Sequence, residues 1–240
     1  MIKVVIFDLG GVIADLKTKE AFMQFAEMGL PLPKELLTKD GPLNGIPSEI
    51  PLLDYIHKMD KGEITGKEFL QKVQSMCRPG TEYGQLLHAY NGLIEVPENR
   101  LAFLKELRGK ALPSCHKEKD SENQDTGKHD CNDGKLQVFL LSNIGDLHWE
   151  AFKNICTGLG MPIEDCFDRM YCSYQLGMAK PDPLIFKHLI EDSGITPGEA
   201  LYIDDFSANI EAGKAAGLQT LHIDANTLDE HMDEIRKMLG

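Results

Sequence analysis

Four short, largely apolar runs, at positions 4–7, 138–141, 200–203 and 220–223, each give way to a small or acidic residue. Apolar runs of this length mark strands buried on both faces, as in a parallel sheet. Between the last three lie helical patterns with readable ends. Asp182 is placed to cap, Pro183 takes the first helical position and Gly194 follows the pattern of 184–193, while Ser207 and Gly217 bracket another helix. Strand, helix, strand in that order requires right-handed crossovers, so the predicted fold is α/β, a doubly wound, Rossmann-like parallel sheet. Such sheets bind ligands beyond the carboxyl ends of their strands.

The stretch 17–96 breaks the alternation. It carries helical periodicity without a convincing strand and is predicted to be an inserted α-helical cap. One of its helices opens with the capping box Thr65-x-x-Glu68 and places Phe69, Leu70, Val73 and Met76 on one face. Pro31, Pro33, Pro42, Pro47 and Pro51 punctuate the part before it, and Val96-Pro97 marks the return to the core. The core is therefore expected over 1–16 and 97–240. Within it, 109–135 is dominated by Lys, Asp, Glu, Ser, Asn and His, too polar to offset its ordering entropy by burial, and reads as a mobile surface insertion. Cys115-His116 and His129-x-Cys131 in that segment leave a metal site or a disulfide as alternatives.

Charge narrows the range of partners. The chain has 240 residues, a formal net charge of -13 and a pI near 5.0, which opposes binding to nucleic acid or to an anionic membrane surface. An anionic ligand would need a locally basic pocket. The first apolar run is interrupted by Asp8 and two glycines before any signal or membrane-spanning length is reached, and the six cysteines show no Cys-x-x-Cys spacing. A cytoplasmic monomer with reduced thiols is the expectation.

The candidate chemistry sits where the strands end. Asp8 follows 4–7 in Ile-Phe-Asp-Leu-Gly-Gly-Val-Ile, Ser142-Asn143 follow 138–141, Lys180 stands in Gly-Met-Ala-Lys-Pro-Asp, and Asp204-Asp205 follow 200–203. Singly each motif is weak, because an Asp after a strand is commonly a turn or cap residue. Together, in this order, they resemble the haloacid dehalogenase-like superfamily, and more narrowly its phosphatases. The resemblance implies that Asp8 is the nucleophile and forms an aspartyl-phosphate that water later hydrolyses. It also implies a Mg2+ ion held by Asp8, Asp205 and the Gly10 carbonyl, with Asp204 acting through water. Lys180 would offset the charge of Asp8 and phosphate, and Ser142 with the Asn143 backbone amide would hold a non-bridging phosphate oxygen. The substrate class is then a small phosphate ester. Asn209 is open between orienting Asp205 and lying on a helix surface, Asp15 is expected to cap the first cap helix, and His148 and Trp149 are open between the pocket mouth and helix packing.

One position departs from the common pattern. Most phosphatases of the superfamily carry a second aspartate two residues after the nucleophile, to protonate the leaving alcohol; here that residue is Gly10. General acid–base catalysis is typically worth about 10²–10⁴-fold. The enzyme is then slow, or another group such as His148 substitutes, or the leaving group departs without full protonation, as an anomeric sugar hydroxyl would. Asp-Leu-Gly-x-Val-Ile, Leu-Ser-Asn-x-x-x-Leu-His, Leu-Gly-Met-x-Lys-Pro and Asp-Asp-x-x-x-Asn-Ile-Glu together look like the bacterial α-D-glucose-1-phosphate phosphatases, which also have glycine there. That implies a sugar phosphate such as a hexose 1-phosphate. Two other readings stand against it: a metal-independent haloacid dehalogenase using the same Asp8, and a non-catalytic phospholigand-binding module.

Overall fold

The computed structural model describes residues 1–37, 51–112 and 134–240. Its centre is a five-stranded parallel sheet in the order β5-β4-β1-β6-β7, with β1 Val4–Phe7, β4 Gln137–Ser142, β5 Arg169–Cys172, β6 Ala200–Asp204 and β7 Gln219–His222. β1 lies in the middle, Val4 opposite Gln137 on one side and Ala200 on the other. The expected parallel doubly wound sheet is therefore present. The fourth run pairs one residue earlier than expected, and β5 joins as an edge strand that no apolar run announces.

Alternation along the strands explains why both faces are covered. Val5 and Phe7 point to one face, with Val138, Leu140, Leu201 and Ile203, and pack under α5 (Glu98–Gly109), α6 (Asp146–Gly158) and α10 (Leu228–Leu239). Val4 and Ile6 point to the other, with Phe139, Leu141 and Tyr202, under α8 (Pro183–Ser193) and α9 (Ser207–Ala215). Asp182 caps α8, accepting from the Leu184 N–H at 2.9 Å, and Pro183 occupies the first turn. The short helix α7 (Ser173–Leu176) follows β5.

Between β1 and α5, the helices α1 (Thr18–Glu27), α2 (Pro51–Asp60), α3 (Gly66–Met76) and α4 (Tyr83–Asn91) build a separate hydrophobic cluster around Phe22, Phe25, Met59, Phe69, Leu70 and Tyr90. The capping box of α3 is complete, with the Thr65 N–H donating to Glu68 Oε2 at 2.8 Å and the Glu68 N–H to Thr65 Oγ1 at 3.2 Å. The chain leaves and re-enters the sheet layer through a two-stranded antiparallel pair, β2 (Asp15–Leu16) with β3 (Ile94–Glu95). Asp15 does not cap α1. Lys17 holds that position, and Asp15 instead faces Arg100, whose Nη1 lies 2.7 Å away and whose Nη2 is 2.7 Å from Asp229.

The helical layer is seated on the strand ends. The Gly66 N–H donates to Asp146 Oδ1 at 2.8 Å, and a Cβ on Gly66 would fall 2.3 Å from Leu147 Cγ, so glycine lets the two layers close on each other. The polar stretch 109–135 lies mostly outside the described residues, as do Cys115, His116, His129 and Cys131. Its two ends meet where Ala111 bridges Lys135. Cys77, Cys156, Cys166 and Cys172 are free thiols. Among the described residues, no helix is long and apolar enough to cross a membrane.

Candidate active site

Asp8 is the first residue beyond β1, its N–H still donating to Ile203 O at 2.9 Å and its Oδ1 accepting from the Leu9 N–H at 2.6 Å. The chain then turns sharply, Ala14 N–H to Leu9 O at 2.8 Å and Gly11 N–H to Ala14 O at 2.7 Å. Gly11, not Gly10, takes the left-handed conformation (φ +83), and a Cβ there would lie 2.4 Å from Asp205 Oδ2. Glycine at 11 is thus required twice, by the backbone and by the neighbouring carboxylate. Gly10 has no such constraint: a Cβ would meet only the flexible Leu16 side chain, at 3.3 Å.

Lys180 is buried, with Nζ 2.8 Å from Asp8 Oδ1 and 2.7 Å from Asp204 Oδ2. Its backbone is clamped by the Asn143 side chain, which accepts from the Lys180 N–H at 2.8 Å and donates through Nδ2 to Lys180 O at 2.8 Å. The Asn143 side chain thus locks the lysine loop against the end of β4, a role its sequence position did not reveal. Ser142 is buried at the end of β4, and the next turn is pinned by Ser173 Oγ accepting from the Ile144 N–H at 2.9 Å.

The paired aspartates are unlike each other. Asp204 is fully buried and saturated: it accepts from Lys180, the Tyr202 hydroxyl, the Phe206 N–H at 2.8 Å and Asn209 Nδ2 at 3.0 Å. Asn209 therefore orients Asp204 rather than Asp205, and it is buried rather than on the surface. Asp205 Oδ2, by contrast, is buried with no protein partner. One carboxylate oxygen from each of Asp8, Asp204 and Asp205 can be chosen so that all lie within 4.8 Å of one another.

Charge in this cluster is unbalanced. Burial pushes the Asp8 carboxyl up to about 7; Lys180 opposes the shift, while Asp204 and Asp205 add to it. Burial, with Asp204 beside it, pushes Asp205 up to about 6. Burial works against Asp204 as well, but Lys180 and the hydroxyl and amide donors outweigh it and hold Asp204 below its ordinary value. Burial would lower Lys180, yet Asp204 and Asp8 keep it above its usual range. Three carboxylates facing one ammonium lack positive charge, and the orphaned Asp205 oxygen lacks a partner. Both defects suit a divalent cation with oxygen ligands.

Above the cluster, a cavity of about 440 Å³ runs from Asp8, Gly10, Ser142, Asn143, Lys180 and Asp205 up to Phe22, Asp60, Phe69 and Tyr90 of the helical layer. The structure thus brings all the sequence-predicted site residues to one place, Asp204 lying beneath the others as their support. His148 forms part of the wall. Its ring stacks on Tyr90 with centroids 3.7 Å apart, Nε2 sits 2.9 Å from Tyr90 O, and burial pulls its pKa down to about 4. The ring is neutral at pH 7 and is not a ready proton donor. Trp149 packs in the core beside Phe152. Sequence reasoning missed Tyr202, Gly11 and Asp60. Tyr202 stands two residues before Asp204 on the same strand face, so alternation alone points to it. Nothing local marks Asp60.

A parallel sheet with a carboxylate, a lysine and an acidic pair on its strand ends, under an inserted helical layer, defines a class of α/β hydrolase. The profile of the haloacid dehalogenase-like hydrolases matches residues 2–217, and the chain belongs to that family. It is 30% identical over 223 residues to the D-ribitol-5-phosphate phosphatase of Bacteroides thetaiotaomicron, covering 92% of this chain and 91% of that one. It is 32% identical over 185 residues to the sesquiterpene phosphatase astK of Aspergillus oryzae, covering 76% and 78%. Among solved structures, the haloacid dehalogenase-family enzyme bt-2542 of Bacteroides thetaiotaomicron, in complex with magnesium and inorganic phosphate, superposes with a TM-score of 0.70 at 28% identity, covering 94% of this chain and 96% of that one. The chain is a phosphatase of this family.

Proposed function

We propose that the protein is a Mg2+-dependent phosphatase that hydrolyses small phosphomonoesters, sugar phosphates such as a hexose 1-phosphate in particular, through an aspartyl-phosphate on Asp8. The observation that carries this is the pairing of Asp8 with Lys180 at the cavity floor, next to an Asp205 oxygen that has no protein partner. Asp8 and Asp205, with the Gly10 carbonyl, would hold the ion, and Asp204 supports the site through Lys180. When bound, the ion supplies the positive charge that lets a carboxylate approach a phosphate dianion.

An Asp8 carboxylate oxygen forms a bond to phosphorus while the bond from phosphorus to the ester oxygen breaks, and the leaving alkoxide takes up a proton from solvent water. Lys180 stays protonated and offsets charge on the transferring group, while Ser142 and the Asn143 backbone amide hold a non-bridging oxygen. Water then attacks the aspartyl-phosphate at phosphorus and returns Asp8. Gly10 supplies no side-chain acid, and His148 is neutral and engaged. Both facts favour a leaving group that departs without strong protonation, the reason for preferring an anomeric phosphate. The ribitol-5-phosphate relative is named for an ester of an ordinary alcohol, so 5- and 6-phosphates belong in the same test.

A panel of hexose 1-phosphates, hexose 6-phosphates, ribitol 5-phosphate, nucleotides and FMN, with magnesium or EDTA, tests the reading. The expected result is magnesium-dependent phosphate release, fastest on anomeric esters. Chloride release from a 2-haloacid in EDTA, with no phosphate release under any condition, would make the protein a dehalogenase. Tight sugar-phosphate binding without turnover would make it a binding module.

A further inference from the structure

Asp60 ends α2 and lines the same cavity as Asp8 and Lys180. Its carboxyl has no hydrogen-bond or ion-pair partner among the described residues. Two polar groups of the same cavity wall are already committed: the Tyr90 hydroxyl donates to Met59 Sδ at 3.3 Å, and His148 Nε2 is taken by Tyr90 O. The helical layer adds mostly apolar side chains to that wall, Phe69 and Leu52 among them, with Thr18 and His57 as further polar residues. Asp60 is half-buried in the cavity wall, partly withdrawn from water with no protein group to replace it, and a carboxylate at a helix C-terminus also faces the unfavourable end of the helix dipole. Neither feature stabilises the fold, and burial accordingly pushes the Asp60 carboxyl up to about 7. An unsatisfied acid facing into a cavity is explained if its partner arrives with the substrate.

We propose that Asp60 is the specificity residue of the helical cap, taking a hydrogen bond with a hydroxyl on the organic part of the substrate while the phosphate sits at Asp8 and Lys180. This rests on the phosphatase reading above and adds to it a polyhydroxylated substrate. A hydroxyl, able to donate or accept, matches a carboxyl in either protonation state. A buried ammonium would leave further N–H groups unpaired against Phe69 and Leu52.

The test compares ribitol 5-phosphate and glucose 1-phosphate with n-pentyl phosphate, a phosphate ester lacking distal hydroxyls, in the wild type, Asp60→Asn and Asp60→Leu. The quantity read is the ratio of kcat/KM for the hydroxylated ester to that for pentyl phosphate, so that general damage cancels. Asp60→Leu should lower the ratio about 10–100-fold, mainly through KM, as expected when a hydrogen-bonding partner is lost, and Asp60→Asn should lower it less. An unchanged ratio, or one that falls only for 2-aminoethyl phosphate added as a third ester, overturns the assignment. Wild-type turnover of pentyl phosphate but of no hydroxylated ester overturns the substrate class as well while leaving the phosphatase reading standing. If none is turned over, the phosphatase reading fails, and the Kd ratio of the same esters by calorimetry must then show the same dependence on Asp60.

Discussion

Replacing Asp60 by leucine should make the protein more stable, and by an amount that grows with pH. The Asp60 carboxyl lies near 7 in the folded chain against an ordinary 3.8, because burial penalises its charged form. The folded state therefore holds this proton more tightly than the unfolded state. As pH rises from about 4 to about 7, the wild type loses stability that a variant without the carboxyl keeps. With about 1.4 kcal/mol for each pKa unit, the cost is about 4 kcal/mol at pH 8 and about 1.7 kcal/mol at pH 5, a difference of about 2.5 kcal/mol. For a chain of this length that is about 5–10 °C in Tm. His148, held near 4, and Tyr90, held well above its ordinary value, do not titrate between pH 5 and 8. Asp8 and Asp205 do, but they are common to both proteins and cancel in the difference. Urea or thermal unfolding of wild type and Asp60→Leu at pH 5, 6, 7 and 8, in EDTA, measures the effect. A stability difference that is flat in pH, or a leucine variant less stable than wild type at pH 8, would refute the claim that Asp60 is a partly desolvated, unpaired acid.

Asp8→Asn should abolish turnover, with at least a 10³-fold loss in kcat and an unchanged circular dichroism spectrum, since the amide fills the same space but is a poor nucleophile; activity within tenfold of wild type would remove the nucleophile assignment. Gly10→Asp is accommodated, because the backbone is not left-handed there and only Leu16 must shift. It should raise kcat/KM for glucose 6-phosphate relative to glucose 1-phosphate by about tenfold, within the usual range for an added general acid, and an unchanged ratio in a folded variant would show that no proton donor is needed. Gly11→Ala places a methyl group against Asp205 and demands a left-handed alanine, so magnesium binding by calorimetry should weaken at least tenfold while Gly10→Ala leaves it within about threefold. Equal affinities in the two variants would contradict the geometry of the acidic turn.

The sequence by itself determined the features that rest on short-range pattern. Apolar runs ending at Asp8, Ser142 and Asp204 placed the strands and, through the rule that ligands sit at carboxyl ends, the site. The Asp182 cap and the Thr65–Glu68 box were legible because each is closed by bonds between residues two or three apart. The strand at Arg169–Cys172 was not legible: as an edge strand it is half exposed, so its residues lack the continuous apolar run of a central strand. The partner of Asp15 proved to be Arg100, and the asymmetry of Asp204 and Asp205 was set by Lys180, Tyr202 and Asn209 converging on only one of them. Asp60 was decided by tertiary structure alone, since nothing about an acid at the end of a helix says what it will face. Closure of Gly66 onto Asp146 and Leu147, and of Met59 against Gly145, carries it to the cavity wall and withdraws it partly from water. Local pattern records the bonds a residue makes to its neighbours in the chain, whereas desolvation depends on what is packed against it from elsewhere, and that exists only once the two layers have met.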